Sequence, residues 1–172
     1  MAAAGTAVFA IDLQAKKELW STALPSTVRS SVCVAEGLVL VGCEDGLVVA
    51  LDGRDGAKRW ETRAGDAVES TPAVRGQQVY FGSHDGKVRA VRLKDGQPLW
   101  ELKTDGPVNS SPAVSDKSVV IGSWDRHVYC INRDDGTVRW KFPVDGRVAS
   151  SPVIVQGITV FGCDDGYVYG LK

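Results

Sequence analysis

The 172-residue chain holds two histidines and four cysteines, with no two cysteines adjacent and no C-x-x-C pair. Metal sites built from nitrogen and sulfur need several such ligands at short spacing. His84 and His127 each lack a second ligand nearby, so no metal site is expected. No apolar run is long enough to cross a bilayer, which argues against membrane insertion. Met1 to Ala10 is small and apolar, but it has no cationic leader and is followed at once by Asp12, Lys16 and Lys17. It reads as no signal peptide, and the chain as it stands is expected in the cytoplasm. Charge of one sign is also missing: Lys plus Arg is 20 against 21 for Asp plus Glu, a net charge of −1. That balance gives no pull towards nucleic acid. No segment carries a sustained helical period.

The feature that is present is a forty-residue beat. Tryptophan recurs at Trp20, Trp60, Trp100 and Trp140. A Ser-Ser or Ser-Thr pair recurs at Ser30-Ser31, Ser70-Thr71, Ser110-Ser111 and Ser150-Ser151. Gly42, Gly82, Gly122 and Gly162 each end an apolar run, and Asp45, Asp85, Asp125 and Asp165 follow three residues later. Such a period marks one supersecondary unit copied in tandem. Each unit reads as four short strands separated by Gly and Asp turns. The Asp-Gly pairs are expected to make tight hairpin turns with both residues at positive φ. The second-strand runs, such as Leu38-Val39-Leu40-Val41 and Val79-Tyr80-Phe81, do not alternate. A strand that is apolar throughout is covered on both faces. The expected fold is therefore all-β, a β-propeller of four-stranded antiparallel blades with four repeats over residues 1–172. Cys43 and Cys163 occupy the place of Ser83 and Ser123; such exchange suits a small, half-buried site, and all four cysteines are read as free thiols.

The segment Ala50-Leu51-Asp52-Gly53-Arg54-Asp55-Gly56-Ala57-Lys58-Arg59-Trp60 resembles the tryptophan-docking motif A-x-D-x-x-T-G-x-x-x-W of the pyrroloquinoline-quinone-like (PQQ-like, BamB-like) repeat propellers. Asp55 replaces the usual Thr. The next copy keeps Ala90, Gly96 and Trp100 but has Arg92 for the Asp; the third keeps Gly136 and Trp140 but has Cys130 for the Ala and Asn132 for the Asp. The first keeps Ala10, Asp12 and Trp20 but has Ala15-Lys16 in place of the turn pair. The resemblance implies a propeller in which Trp20, Trp60, Trp100 and Trp140 lock neighbouring blades. It also implies a family of quinoprotein dehydrogenases and non-enzymatic assembly scaffolds, often periplasmic.

The termini are out of phase with whole blades. The chain opens with a third and a fourth strand and ends with a first, second and third, so a fourth strand from residues 18–24 is expected to complete the last blade. Three closures fit: one chain as four blades, two chains as eight, or an excerpt of a longer propeller. Eight blades from two chains, or an excerpt with that tendency, is preferred over a lone four-bladed ring, which needs a strong wedge, and closed symmetric assemblies predominate.

Repeats keep what folds and vary what binds. The copies differ most at Arg29, Glu69, Asn109 and Ala149, before the serine pair, and at Glu44, His84, Trp124 and Asp164, in the hairpin after the second strand. Of these, Arg29, Glu69, Asn109, Glu44, His84, Trp124 and Asp164 are the candidate ligand- or partner-binding residues, and Arg29, Glu69 and Asn109 are expected at one mouth of the central channel. No catalytic residue is assigned, because Asp85 beside His84 is the repeated turn residue. The expected function is a non-catalytic scaffold for protein or peptide, without a cofactor. The alternative is a quinone or sugar site in the channel, with PQQ and Ca2+, as part of a quinoprotein-type dehydrogenase.

Overall fold

A computed structural model describes residues 1–172 except for the side chains of Ala2 and Ala4. It contains eighteen strands in five antiparallel meanders. Three meanders have four strands each. They are β4 (Cys33–Ala35), β5 (Leu38–Gly42), β6 (Leu47–Asp52) and β7 (Lys58–Arg63); β8 (Ala73–Arg75), β9 (Gln78–Ser83), β10 (Lys87–Arg92) and β11 (Pro98–Lys103); and β12 (Ala113–Val114), β13 (Ser118–Ser123), β14 (His127–Asn132) and β15 (Val138–Pro143). Two three-stranded sheets flank them. One is β1 (Ala2–Ala4), β2 (Ala7–Asp12) and β3 (Lys17–Ala23); the other is β16 (Val153–Val155), β17 (Ile158–Gly162) and β18 (Val168–Leu171). The described residues form no helix.

The non-alternating strands are covered as expected. On β5, Val39 and Val41 pack with Val8, Ala10 and Trp20 of the preceding sheet. Leu40, between them, packs with Val79 and Phe81 of the following sheet. Successive side chains of a strand point to opposite faces, so a sheet between two others is apolar on both. The first strands β4, β8, β12 and β16 touch in succession and form the inner row.

Three recurrent contacts join the sheets. The Trp20 indole N–H donates to the Gly53 carbonyl at 3.2 Å, Trp60 to Leu93 at 2.8 Å and Trp100 to Arg133 at 2.9 Å. Each ring lies so close over the next sheet's turn that a Cβ on Gly96 would come within 2.6 Å of the Trp60 ring. The serine pairs divide their labour. The first member accepts from its own sheet's glycine, as in Gly82 N–H to Ser70 Oγ at 3.0 Å. The second builds a ladder between sheets: Ser31 N–H to Thr71 Oγ1 at 3.1 Å, Thr71 N–H to Ser111 Oγ at 2.9 Å and Ser111 N–H to Ser151 Oγ at 3.0 Å. Finally, Val68, Val108 and Val148, all fully buried, press against Gly42, Gly82 and Gly122 of the preceding sheet.

Several details depart from the sequence reading. Residues Ala2–Ala4 form a strand, β1, that the small apolar start did not announce. The Asp-Gly turns are not the doubly positive type: Gly46, Gly86 and Gly166 have positive φ, but their aspartates do not, and Arg126 takes the role in the third copy at φ 66°. A three-residue loop needs only one left-handed residue. The doubly positive turns sit between first and second strands instead, at Glu36-Gly37 (φ 49° and 76°) and Gln156-Gly157 (φ 51° and 79°). Cys43 is fully buried rather than half-buried, and burial pushes its thiol up to about 11; all four cysteines are free. The four tryptophans are not equivalent, because Trp140 is 37% exposed against 7% for Trp60. Within the chain β3 pairs with β2, and the outer edge of β18 carries no strand.

Truncating Trp60 to Ala should cost about 3–5 kcal/mol of unfolding free energy, the range for a buried aromatic, measured by urea denaturation. A loss below about 1 kcal/mol, the range of an exposed surface substitution, would contradict the contact scheme.

Candidate functional site

One face of the arc is built from the turns between second and third strands and the loops that lead from each fourth strand to the next first strand. Backbone bonds knit the two sets together: His84 N–H to Ala67 carbonyl at 2.9 Å, Trp124 N–H to Pro107 carbonyl at 2.9 Å and Asp164 N–H to Arg147 carbonyl at 3.0 Å. The repeated aspartates hold these turns. Asp85 Oδ1 accepts from Lys87 N–H at 3.0 Å and Oδ2 from Gly65 N–H at 2.9 Å, and Arg89 forms an ion pair with it. Burial would raise the Asp85 pKa, but the Arg89 hydrogen bond, the two backbone donors and the Arg89 charge outweigh it and hold the carboxyl below its usual range. Asp85 is thus committed to architecture, and no Ser-His-Asp relay forms around His84.

The variable residues lie among these turns. Asn109 Nδ2 donates to Glu69 Oε2 at 2.8 Å across one full repeat. The same Glu69 oxygen lies 3.5 Å from His84 Nε2. The His84 and Trp124 rings are 5.8 Å apart at 49°, and the Arg147 guanidinium stands 4.9 Å from the Trp124 ring centre. Glu69, Asn109, His84, Trp124 and Arg147 therefore form one continuous patch over three sheets. Arg29 pairs with Glu44 at 2.9 Å at one end of the row. That contact, a hydrogen bond with a Coulombic component, lowers the Glu44 pKa and raises that of Arg29, which also feels the Glu69 charge. Asp164, at the other end, is exposed.

Within the patch, His84 Nε2, Asn109 Oδ1 and Trp124 Nε1 are shielded from solvent without a hydrogen-bond partner among the described residues. Unsatisfied polar atoms are costly inside a fold, and such atoms are ordinarily met by a protein group or an ordered water. Arg147 was missed in the sequence. It stands at the position of Thr27, Ala67 and Pro107, one residue before the repeated valine, and the same criterion of variation between copies identifies it. His127 lies apart, its ring 6.1 Å from that of Tyr129. No group of three or more His, Cys, Asp or Glu able to hold a metal ion occurs among the described residues.

The family model for "Outer membrane protein assembly factor BamB" matches residues 1–111 and 103–172. The chain belongs to this BamB-like PQQ-repeat family. No curated protein sequence matches it. Among solved structures, BamB from Moraxella catarrhalis matches with a TM-score of 0.86 and 19% identity, over 99% of this chain and 54% of that one. Two computationally designed proteins match at 21% identity. Ika4 has a TM-score of 0.83 over 91% of this chain and 98% of its own, and Ika8 has 0.82 over 90% and 49%. At these identities the likeness is one of fold. The BamB-like chain thus spans about half the length of the BamB structure it matches.

Glu44 offers a check on the rim's electrostatics. Its folded pKa is depressed, so the small stabilisation from Arg29 is present above the unfolded value and is lost as pH falls through the folded one. Arg29→Ala should move the Glu44 midpoint upward, towards the ordinary range of a glutamate, in an NMR titration. An unchanged midpoint would show that the pair does not form in solution.

Proposed function

We propose that the chain is a non-catalytic propeller scaffold that binds protein or peptide through the rim of Arg29, Glu44, Glu69, His84, Asn109, Trp124, Arg147 and Asp164, with the ring completed by a second copy. The observation that carries this reading is the division of labour among the repeats. The recurrent Ser, Asp, Gly and buried Trp side chains are spent on joining strands and sheets. The side chains that differ from copy to copy gather on one face, with an indole under a guanidinium at the centre. Tryptophan and arginine are the residue types that most often dominate protein interfaces. The mixed charges of Arg29, Glu44, Glu69 and Arg147 suit a partner with both donors and acceptors rather than a polyanion. The family description, an assembly factor, supports a role through contact with other proteins. In this reading the compartment follows the family, whose members often work in the periplasm.

Selection of displayed peptides against the protein tests the reading. Enriched peptides should bind saturably, and Trp124→Ala should weaken them by about 30-fold, the effect of a hot-spot residue at about 2 kcal/mol, with the circular dichroism spectrum unchanged. Equal binding to the variant would remove the rim from the account. Saturable quenching of tryptophan fluorescence by pyrroloquinoline quinone with Ca2+ would favour a small-molecule site instead.

A further inference from the structure

The sheet β16–β17–β18 copies the first three strands of its neighbours without a fourth on the outer edge of β18. Its third strand is open. Val168 is 76% exposed, whereas the equivalent Val48, Val88 and Val128 are fully buried. Beside it runs a cleft of about 720 Å3 lined by Val120, Cys130, Trp140, Phe142, Ile154 and Leu171. An unpaired strand edge next to apolar surface is a site for strand addition.

The repeat states what fits there. Third and fourth strands pair as Ala50 with Trp60, Ala90 with Trp100 and Cys130 with Trp140; the same register sets Gly170 opposite Trp20. Each buried indole donates to the carbonyl thirty-three residues on; for Trp140 the repeat-equivalent carbonyl is that of Leu13. The serine ladder begins at Ser31 and ends at Ser151, so the next rung is Ser151 N–H to Ser31 Oγ. Gly162 has only Ser150 near the space where a Cβ would stand. Its counterparts receive Val68, Val108 and Val148, and the equivalent valine, Val28, is only half-buried. One continuous segment, 13–31, therefore carries all four complements. Lys16 already holds φ 52° at the place of Gly56, Gly96 and Gly136; its Cβ is fixed by the backbone, so the Trp140 ring must sit further from this turn than Trp20, Trp60 and Trp100 sit from theirs.

We propose that a second copy of this chain supplies that segment. Its β3 becomes the fourth strand beside β18, and β18 takes the place of that copy's own β2, to which it is the repeat equivalent. The exchange is reciprocal, so two copies form a closed ring of eight four-stranded sheets with two-fold symmetry. This rests on the reading that a second copy completes the ring, and it adds which strand crosses and in what register.

The test uses full-length chains. The register places Thr22 of one copy opposite Val168 of the other, and Ser21 opposite Tyr169. One of two adjacent rungs is the non-hydrogen-bonded type, with Cα atoms about 4.5 Å apart, which suits a disulfide. Chains carrying Thr22→Cys are mixed with chains carrying Val168→Cys, and likewise Ser21→Cys with Tyr169→Cys. Under mild oxidation, one mixture should give a covalent heterodimer, with the 22–168 or 21–169 link mapped by mass spectrometry. Thr62→Cys, the equivalent site within β7, should give at least tenfold less product with Val168→Cys. Light scattering on the unmodified protein should give twice 18.4 kDa. A dimer mass without either link overturns the strand exchange and leaves the second-copy reading in place. A monomer mass overturns both.

Discussion

Everything in this molecule depends on mutual shielding: the central sheets are apolar on both faces, and each face is covered by a neighbouring sheet. A four-stranded sheet of this length has no face to spare for water. Val39 and Val41 go one way, Leu40 the other, and both directions must be filled. The indoles reinforce that packing. A buried tryptophan removes about 150–250 Å2 from water, which at about 25 cal/mol per Å2 is several kcal/mol, and its N–H finds a carbonyl of the next sheet. The Ser31–Thr71–Ser111–Ser151 ladder does for the inner row what the indoles do further out.

The same constraint explains where burial falls off. The central sheets have neighbours on both sides, and their second and third strands are largely buried. The outer two are not, and Tyr167, Val168, Leu13 and Leu19 are 69%, 76%, 84% and 65% exposed. The contrast between Trp60 and Trp140 has the same origin: the two rings sit in equivalent strands, but only one has a turn to lie on.

Much of this was legible in the sequence because the repeat turns one observation into four. The forty-residue spacing marks the sheets, the unbroken apolar runs mark two-faced burial, and the serine pair recurs because its second member bonds to the next sheet. The turn geometry was not legible. Asp-Gly suits two turn types, and the choice follows from loop length, which depends on where the strands end. Strand β1 was hidden because Ala2 to Ala4 carries no β-branched signal. Within the rim, variation between copies pointed to Glu69, His84, Asn109 and Trp124. That they touch one another, and that Arg147 joins them, depends on how neighbouring loops overlap, which no single repeat encodes.

The most direct measurement is hydrogen exchange of the tryptophan indole N–H groups by NMR in the folded protein. Trp20, Trp60 and Trp100 should be protected by orders of magnitude relative to free indole, because each N–H is bonded across a sheet boundary and lies under a neighbouring turn. Exchange of those three at the free rate would mean that the sheets do not close on one another, and the account would be wrong at its base.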